Sequence, residues 1–298
     1  MIHDDSISSA QVSPPGIKQI LARAGSWPRP VLLTVFALLA LFAPVLWEAG
    51  EMWWKYEDYA HGFFIVPLSL ALVWLQRGEI QKARPAPSVW GVVPLALGLA
   101  LETLGYLLRV KFVATIALIP VLYGVVLLLH GKDLWRIVRF SVFFLFFAAP
   151  IPGALLAAPS NWVQSASSTG ASILMKAIGY PIIQTGNLIE IPGMTLEVAD
   201  VCSGFKKLTA FLAFSLLYGY FFSIGWGKRL ALFVAAVPIA LAANIIRVSG
   251  LIMVAHAGGQ RALNTAHDWA EIFVLIVAFF IFVFFGKLIG CKTPRFSL

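Results

Sequence analysis

Leu196 to Leu208 reads LEVADVCSGFKKL, and an apolar run continues from there to Phe222. An alternating segment passes through two acids and stops at Cys202. Ser203-Gly204 and two lysines, Lys206 and Lys207, follow before the run begins. Alternation with period two reads as strand, and the long apolar run reads as a membrane helix. The stretch therefore sets a thiol and two cations at the head of a helix. Both features lower a thiol pKa and favour the nucleophilic thiolate. The bland alternative is that Cys202 is a small apolar filler and that the lysines anchor the helix at the interface.

The wider composition fits a membrane chain. It has 298 residues, 60% of them hydrophobic and only 12% charged, with a formal net charge of +8. A soluble chain carries about twice that charged fraction, and several apolar runs approach the ~20 residues that cross a bilayer. The expected class is an all-α polytopic membrane protein. The positive charge is what Lys and Arg in cytoplasmic loops produce, and no basic stripe with interleaved aromatics marks a nucleic-acid partner. Cys202 and Cys291 give neither a disulfide framework nor a zinc spacing.

Eight spans are predicted: Val31–Trp47, Gly62–Leu75, Val89–Leu108, Phe112–Leu129, a fifth ending at Ala149 before Pro150-Ile151-Pro152, then Leu208–Phe222, Leu230–Ala255 and Trp269–Leu288. The first lacks the small-residue cleavage site of a signal peptide and reads as retained. Residues 1–29 read as a flexible cytoplasmic tail, 30–290 as the transmembrane domain and 291–298 as a second cytoplasmic tail. Within the domain, residues 153–201 form an outer-face segment. Ala154–Ile178 predicts an interfacial or re-entrant helix, and the strands flanking Pro192-Gly193 predict a small β-hairpin ahead of Cys202.

Charge orients the spans. With both termini cytoplasmic, fourteen Lys and Arg from Lys18 to Arg295 fall inside, five fall outside (Lys55, Arg109, Lys111, Lys176 and Arg261), and Lys206, Lys207 and Arg247 stand at the outer boundary. That bias follows the positive-inside rule. Cys202 then lies at the outer start of the sixth span. Arg247 is eighteen residues beyond Arg229, about 27 Å along a helix, so it reaches the same face. His267 precedes the eighth span there, as does the competing His256 near the end of the seventh.

A thiol, a guanidinium and an imidazole on one face fit acyl transfer on a peptide bond. The thiolate attacks, the imidazole carries the proton, and the arginine stabilises the oxyanion or holds a carboxylate. The competing readings are a helix-end anchor for Arg247 and a helix cap for His267 with Asp268. Metal catalysis is a weaker alternative: His61, His256 and His267 fall outside with Asp58 and Asp268, but without HExxH or similar spacing. Ser165 to Ser172 lacks a GxSxG elbow, so its small residues read as helix packing. A transporter without covalent chemistry, or a subunit of an envelope-assembly system, would explain the spans equally well.

VCSGFKKL at a helix mouth, ANIIRV one span later and HDWAE before the last span resemble the exosortase/archaeosortase family. DYAHGFFIVPLSLALVW from Asp58 and GNLIEIPGMTLEVADVCSG resemble its other signatures, in the same order. The resemblance implies an enzyme of the bacterial inner membrane with its site on the outer face, a cysteine protease or transpeptidase that needs no cofactor. The implied partners are membrane-anchored proteins with a C-terminal sorting tail: a Pro-Glu-Pro-type motif, a transmembrane helix and a basic end. The implied role is protein sorting linked to exopolysaccharide or envelope assembly. It implies a triad of Cys202, Arg247 and His267, which decides between the two histidines. Asp58, Tyr59, His61, Asn244 and Asp268 are the candidate substrate-binding residues. Asp200-Val201 stands where Glu-Ala is commoner in the family, and Lys206-Lys207 where an arginine is usual.

Overall fold

The structure, a computed structural model, describes residues 29–197, 204–222, 224–292 and 294–295, and the side chains of 29–32, 58, 204–207, 268 and 271 are outside that description. Helices dominate, as hydrocarbon requires of a backbone that must satisfy its own polar groups. They are α1 (Arg29–Lys55), α2 (Gly62–Leu75), α3 (Arg77–Lys82), α4 (Val92–Leu107), α5 (Lys111–Leu129), α6 (Lys132–Phe144), α7 (Gly153–Ala177), α8 (Gly204–Phe221) and α9 (Trp226–Leu288). Between α7 and α8 lies an antiparallel sheet of β1 (Ile183–Thr185), β2 (Leu188–Ile191) and β3 (Met194–Glu197), in that order.

Among the described residues, four helices are long and apolar enough to cross a bilayer, or five if the bent pair Lys132–Ala148 and Gly153–Ala177 counts as one. Gly62–Leu75, Leu208–Phe221 and Ile272–Leu288 are apolar but shorter. The α-helical polytopic class stands, and the expected count of eight needs these shorter helices to cross as well. The first helix outruns its expected end at Trp47 and continues to Lys55.

Tertiary contacts sort the helix ends into two groups. At one end Ala86 bridges Gly131, Tyr220 Oη donates to Gln76 Oε1 at 3.0 Å, and the Arg295 N–H donates to the Phe221 carbonyl at 2.7 Å. At the other, Lys111 pairs with Glu48 at 3.1 Å, Trp53 Nε1 donates to the Ala148 carbonyl at 2.9 Å, and Tyr59 Oη donates to the Ile151 carbonyl at 2.7 Å. An up-and-down run through α1, α2, α4, α5 and α6 produces this grouping.

Small residues set the close packing of α4 on α5. Gly91, Gly98 and Gly105 recur every seven residues along one face of the helical segment 89–107, the 3.5-residue period of left-handed packing. A Cβ on Gly98 would lie 2.7 Å from the Val121 backbone nitrogen, and one on Gly105 would lie 2.5 Å from that of Ala114. Without apolar solvent exclusion to drive pairing in lipid, such close backbone approach is what holds helices together.

The expected hairpin is present, with one strand more than the sequence suggested. Ile191 pairs with Met194 across Pro192-Gly193, and Gly193 has φ 82°. A proline followed by a positive-φ glycine is the type II pattern. β1 was not expected; it joins β2 through Gly186-Asn187, with Gly186 at φ 62°. Ile189 and Ile191 alternate inward and pack with Met175, Val248 and Ile252. Asn187 Nδ2 donates to Gln164 Oε1 at 3.3 Å and pins the β1–β2 turn to α7.

α9 replaces two expected helices and the loop between them. Gly259, at φ 64° and ψ −162°, is its one non-helical residue. The apolar clusters show the chain folding back there. Val248, Leu251 and Ile252 pack with Leu263 and Ala266; further along, Ala243 packs with Val274, and Leu232 and Ala236 with Phe282. As numbers fall on the first arm (226–258), they rise on the second (260–288), so the arms are antiparallel. His267 therefore sits inside a helix, two turns past the break, and not ahead of one as the sequence suggested.

Candidate active site

The fold-back brings Arg247 and His267 together. Arg247 Nη2 lies 3.3 Å from His267 Nε2. A guanidinium only donates, so this is a hydrogen bond when Nε2 is unprotonated and the ring proton sits on Nδ1. Arg247 is only 2% exposed, and His267 is half-buried. A permanent charge at this depth needs compensating contacts, and ionisable groups in membrane segments mark functional sites.

His267 also lines a cavity of about 410 Å³. Val248, Leu251 and Ile252 form one wall from the first arm of α9. Gln260, Leu263 and Asn264 form another from the second arm, and Thr195, Leu196 and Glu197 of β3 close it. Five of these ten lining residues are apolar and five are polar or ionisable, so apolar walls meet convergent polar groups, as in a ligand pocket. β3 is an edge strand of its sheet. One edge of β3 therefore pairs with β2, and among the described residues no strand pairs with its other edge.

The start of α8 comes level with this pair. Phe211 shares a cluster with Ala243 and Val274. From that level, seven residues back along α8 reach Gly204, four on along the first arm reach Arg247, and seven back along the second reach His267. Those are rises of about 10, 6 and 10 Å. Cys202 lies two residues before Gly204 and outside the described residues.

The remaining candidates divide. Asn244 is one turn from Arg247 and buried, and its Nδ2 donates to Ser167 Oγ at 2.8 Å, tying α9 to α7. Ser167, Ser168, Ala171 and Ser172 are all buried, consistent with the small-residue run serving helix packing. Tyr59 and His61 line a different, small cavity with Leu156 and Thr209, at the α8 end of the early signature. The Asp58 and Asp268 side chains fall outside the description. His256, the rival of His267, packs its ring against Tyr180 at 5.4 Å, and the described lining of the large cavity does not include it.

Gln260 and Asn264 were missed from sequence. Helical spacing from His267 (i−7 and i−3) was the signal, but it needed the knowledge that this segment is helical.

A helical membrane bundle with a buried cation–imidazole pair beside a cavity at one end defines the class. Residues 53–284 match the family described as transmembrane exosortase (Exosortase_EpsH), and the chain belongs to that family. No curated protein and no solved structure matches it at a significant level. Membership makes it a membrane protein of the protein-sorting class, whose members are generally cysteine transpeptidases.

Proposed function

We propose that this chain is an inner-membrane cysteine protease or transpeptidase that removes C-terminal sorting tails at the outer face of the membrane. The observation that carries the reading is the Arg247–His267 contact at 3.3 Å beside the β3-walled cavity. The convergence of the α8 start on the same level supports assigning Cys202 as nucleophile. Eight crossings with both termini cytoplasmic put this end outside, in line with the charge bias.

In the proposed reaction the substrate's transmembrane helix docks laterally and its motif enters the cavity. The Cys202 thiol gives its proton to His267, and the thiolate sulfur bonds to the scissile carbonyl carbon. Arg247 donates to the developing oxyanion. On collapse, the carbon–nitrogen bond breaks, His267 protonates the leaving amine, and a thioester remains. Water or an acceptor amine then attacks the thioester and returns the thiol. Substrate backbone adds to the open edge of β3. Tyr59, His61, Asp58 and Asp268 serve substrate binding near the α8 start, and Asn244 lies one turn from Arg247. Pro-Glu-Pro-type tails with a basic end are the proposed substrates, in the service of envelope or exopolysaccharide assembly.

The test is processing of a co-expressed tail-bearing protein, followed by its size. Wild type shortens it; Cys202→Ala, Arg247→Ala and His267→Ala leave it full length. Normal shortening by Cys202→Ala removes the enzyme reading.

A further inference from the structure

Two cavities adjoin at the end of the bundle opposite the Arg247–His267 pair. One, of about 420 Å³, is lined by Arg136, Arg139, Arg229 and Arg295 together with Tyr123 and Trp135. The other, of about 450 Å³, is apolar and runs along Phe143, Leu216, Leu230 and Phe233. They share Phe140, Phe143, Tyr220, Trp226 and Arg229, so a cationic mouth opens into a greasy cleft between α6, α8 and the first arm of α9.

The charge is lopsided. Among the described residues, no carboxylate lines either cavity. Asp133 reaches Arg136 only at 3.8 Å, with both side chains more than half exposed, and such a pair contributes little. Arg229 Nε is buried without a hydrogen-bond partner among the described residues. Arg139 lies over the Trp135 ring at 5.6 Å, and Arg295 over Tyr220 at 4.6 Å, so ring faces hold these guanidiniums in place. Trp226 (78% exposed) and Leu230 (51%) leave the cleft open to the surrounding lipid. A tryptophan at the rim of a membrane bundle marks the headgroup level.

We propose that this is a site for one anionic glycerophospholipid, its phosphate held by Arg139, Arg229 and Arg295 and an acyl chain laid along Phe143, Leu216, Leu230 and Phe233. Guanidinium forks match phosphate oxygens, and basic pockets between helices at the cytoplasmic boundary suit anionic headgroups. A peptide with a basic end would be repelled by the arginines. The inference does not rest on the catalytic assignments.

The test uses the full-length protein in a neutral detergent. Its melting is followed with dioleoylphosphatidylglycerol, with dioleoylphosphatidylcholine, with inorganic phosphate, and with a synthetic apolar helical peptide ending in lysines. Native mass spectrometry counts retained lipid. Phosphatidylglycerol alone should raise Tm, and one molecule per chain should be retained. Arg139→Gln with Arg229→Gln should cut retention at least fivefold, whereas Lys287→Gln with Lys292→Gln, at the same end but outside both cavities, should not. Gly219→Leu supplies a second variant that keeps every charge. A Cβ there meets Arg229 and Leu232 at ordinary contact distances, 3.5 and 3.7 Å, so the added side chain fills the cleft and should displace the lipid. An equal shift with phosphatidylcholine, phosphate or the peptide overturns the proposal, as does full retention by Gly219→Leu.

Discussion

Arg247 carries a charge that never leaves it, in a position that is 2% exposed. Lysine keeps the charge but loses the planar fork that reaches His267 and an oxyanion together. Arg247→Lys should therefore lower tail processing about 100-fold, the scale of one oxyanion donor, while Tm stays within a few degrees of wild type. Processing at the wild-type rate would mean that any cation suffices and would remove the donor role. Asn244 makes the contrast. The sequence suggests that it touches substrate, yet its Nδ2 is engaged by Ser167, 77 residues away in the chain. Asn244→Ala should cost about 1 kcal/mol, seen as a few degrees of Tm, with processing reduced less than tenfold. Lost processing at an unchanged Tm would instead make Asn244 a substrate contact. That Arg247 stands at the far end of its helix from Arg229 was legible in the sequence, because helix rise sets that separation. The Ser167 partner was not, since nothing in a linear pattern announces a contact across 77 residues.

Gly259 is the element-scale counterpart. Its φ and ψ lie in a region essentially reserved for glycine, and nothing lies within 4 Å of where a Cβ would stand. A change there acts through the backbone and not through crowding. Gly259→Ala should destabilise by about 1–3 kcal/mol, seen as a lower Tm. It should also depress processing by more than that loss of folded protein accounts for, because the reversal is what sets Arg247 against His267. A variant as stable and active as wild type would show that the arms hold each other without the hinge. The sequence hid this element. Gln260, Arg261, Asn264 and His267 look like a polar loop between two spans, and only Gly258-Gly259 punctuates them. Two of these polar residues, Gln260 and Asn264, face the cavity with His267, so the segment reads as loop for the very reason that it lines a site. The α4–α5 contact was hidden differently. Its glycines recur at seven-residue steps, a packing period that an apolar-run reading passes over.

At the scale of the whole molecule, the apolar runs make the membrane class legible, the distribution of Lys and Arg gives an orientation to test, and the shorter helices decide how many times the chain crosses. α2 is the sharpest case. Its 14 residues rise about 21 Å against a hydrocarbon core of about 30 Å, so it crosses only with local thinning or with help from the segments that flank it. The tertiary contacts place its two ends in opposite groups: Tyr59 bonds Ile151 and His61 lines a cavity with it, whereas Gln76 bonds Ser141 and Tyr220. Native cysteines report poorly on this question. Cys291 is 3% exposed, and burial pushes its thiol pKa up, with Lys228 opposing, so it resists a thiol label from either side. The informative experiment places single cysteines at exposed sites in a Cys202→Ala, Cys291→Ala background: Lys55→Cys and Arg261→Cys at one end, Arg84→Cys and Lys292→Cys at the other. A membrane-impermeant maleimide added to intact spheroplasts should label positions 55 and 261. Positions 84 and 292 should label only after permeabilisation. If 84 labels together with 55, α2 returns without crossing, and every later helix reverses its direction. Arg261 and the Arg247–His267 pair would then face the cytoplasm, and position 261 would fall silent in intact cells. Labelling at 55 and 261 with silence at 84 fixes the site on the outer side by two independent reporters, one on each side of the disputed helix.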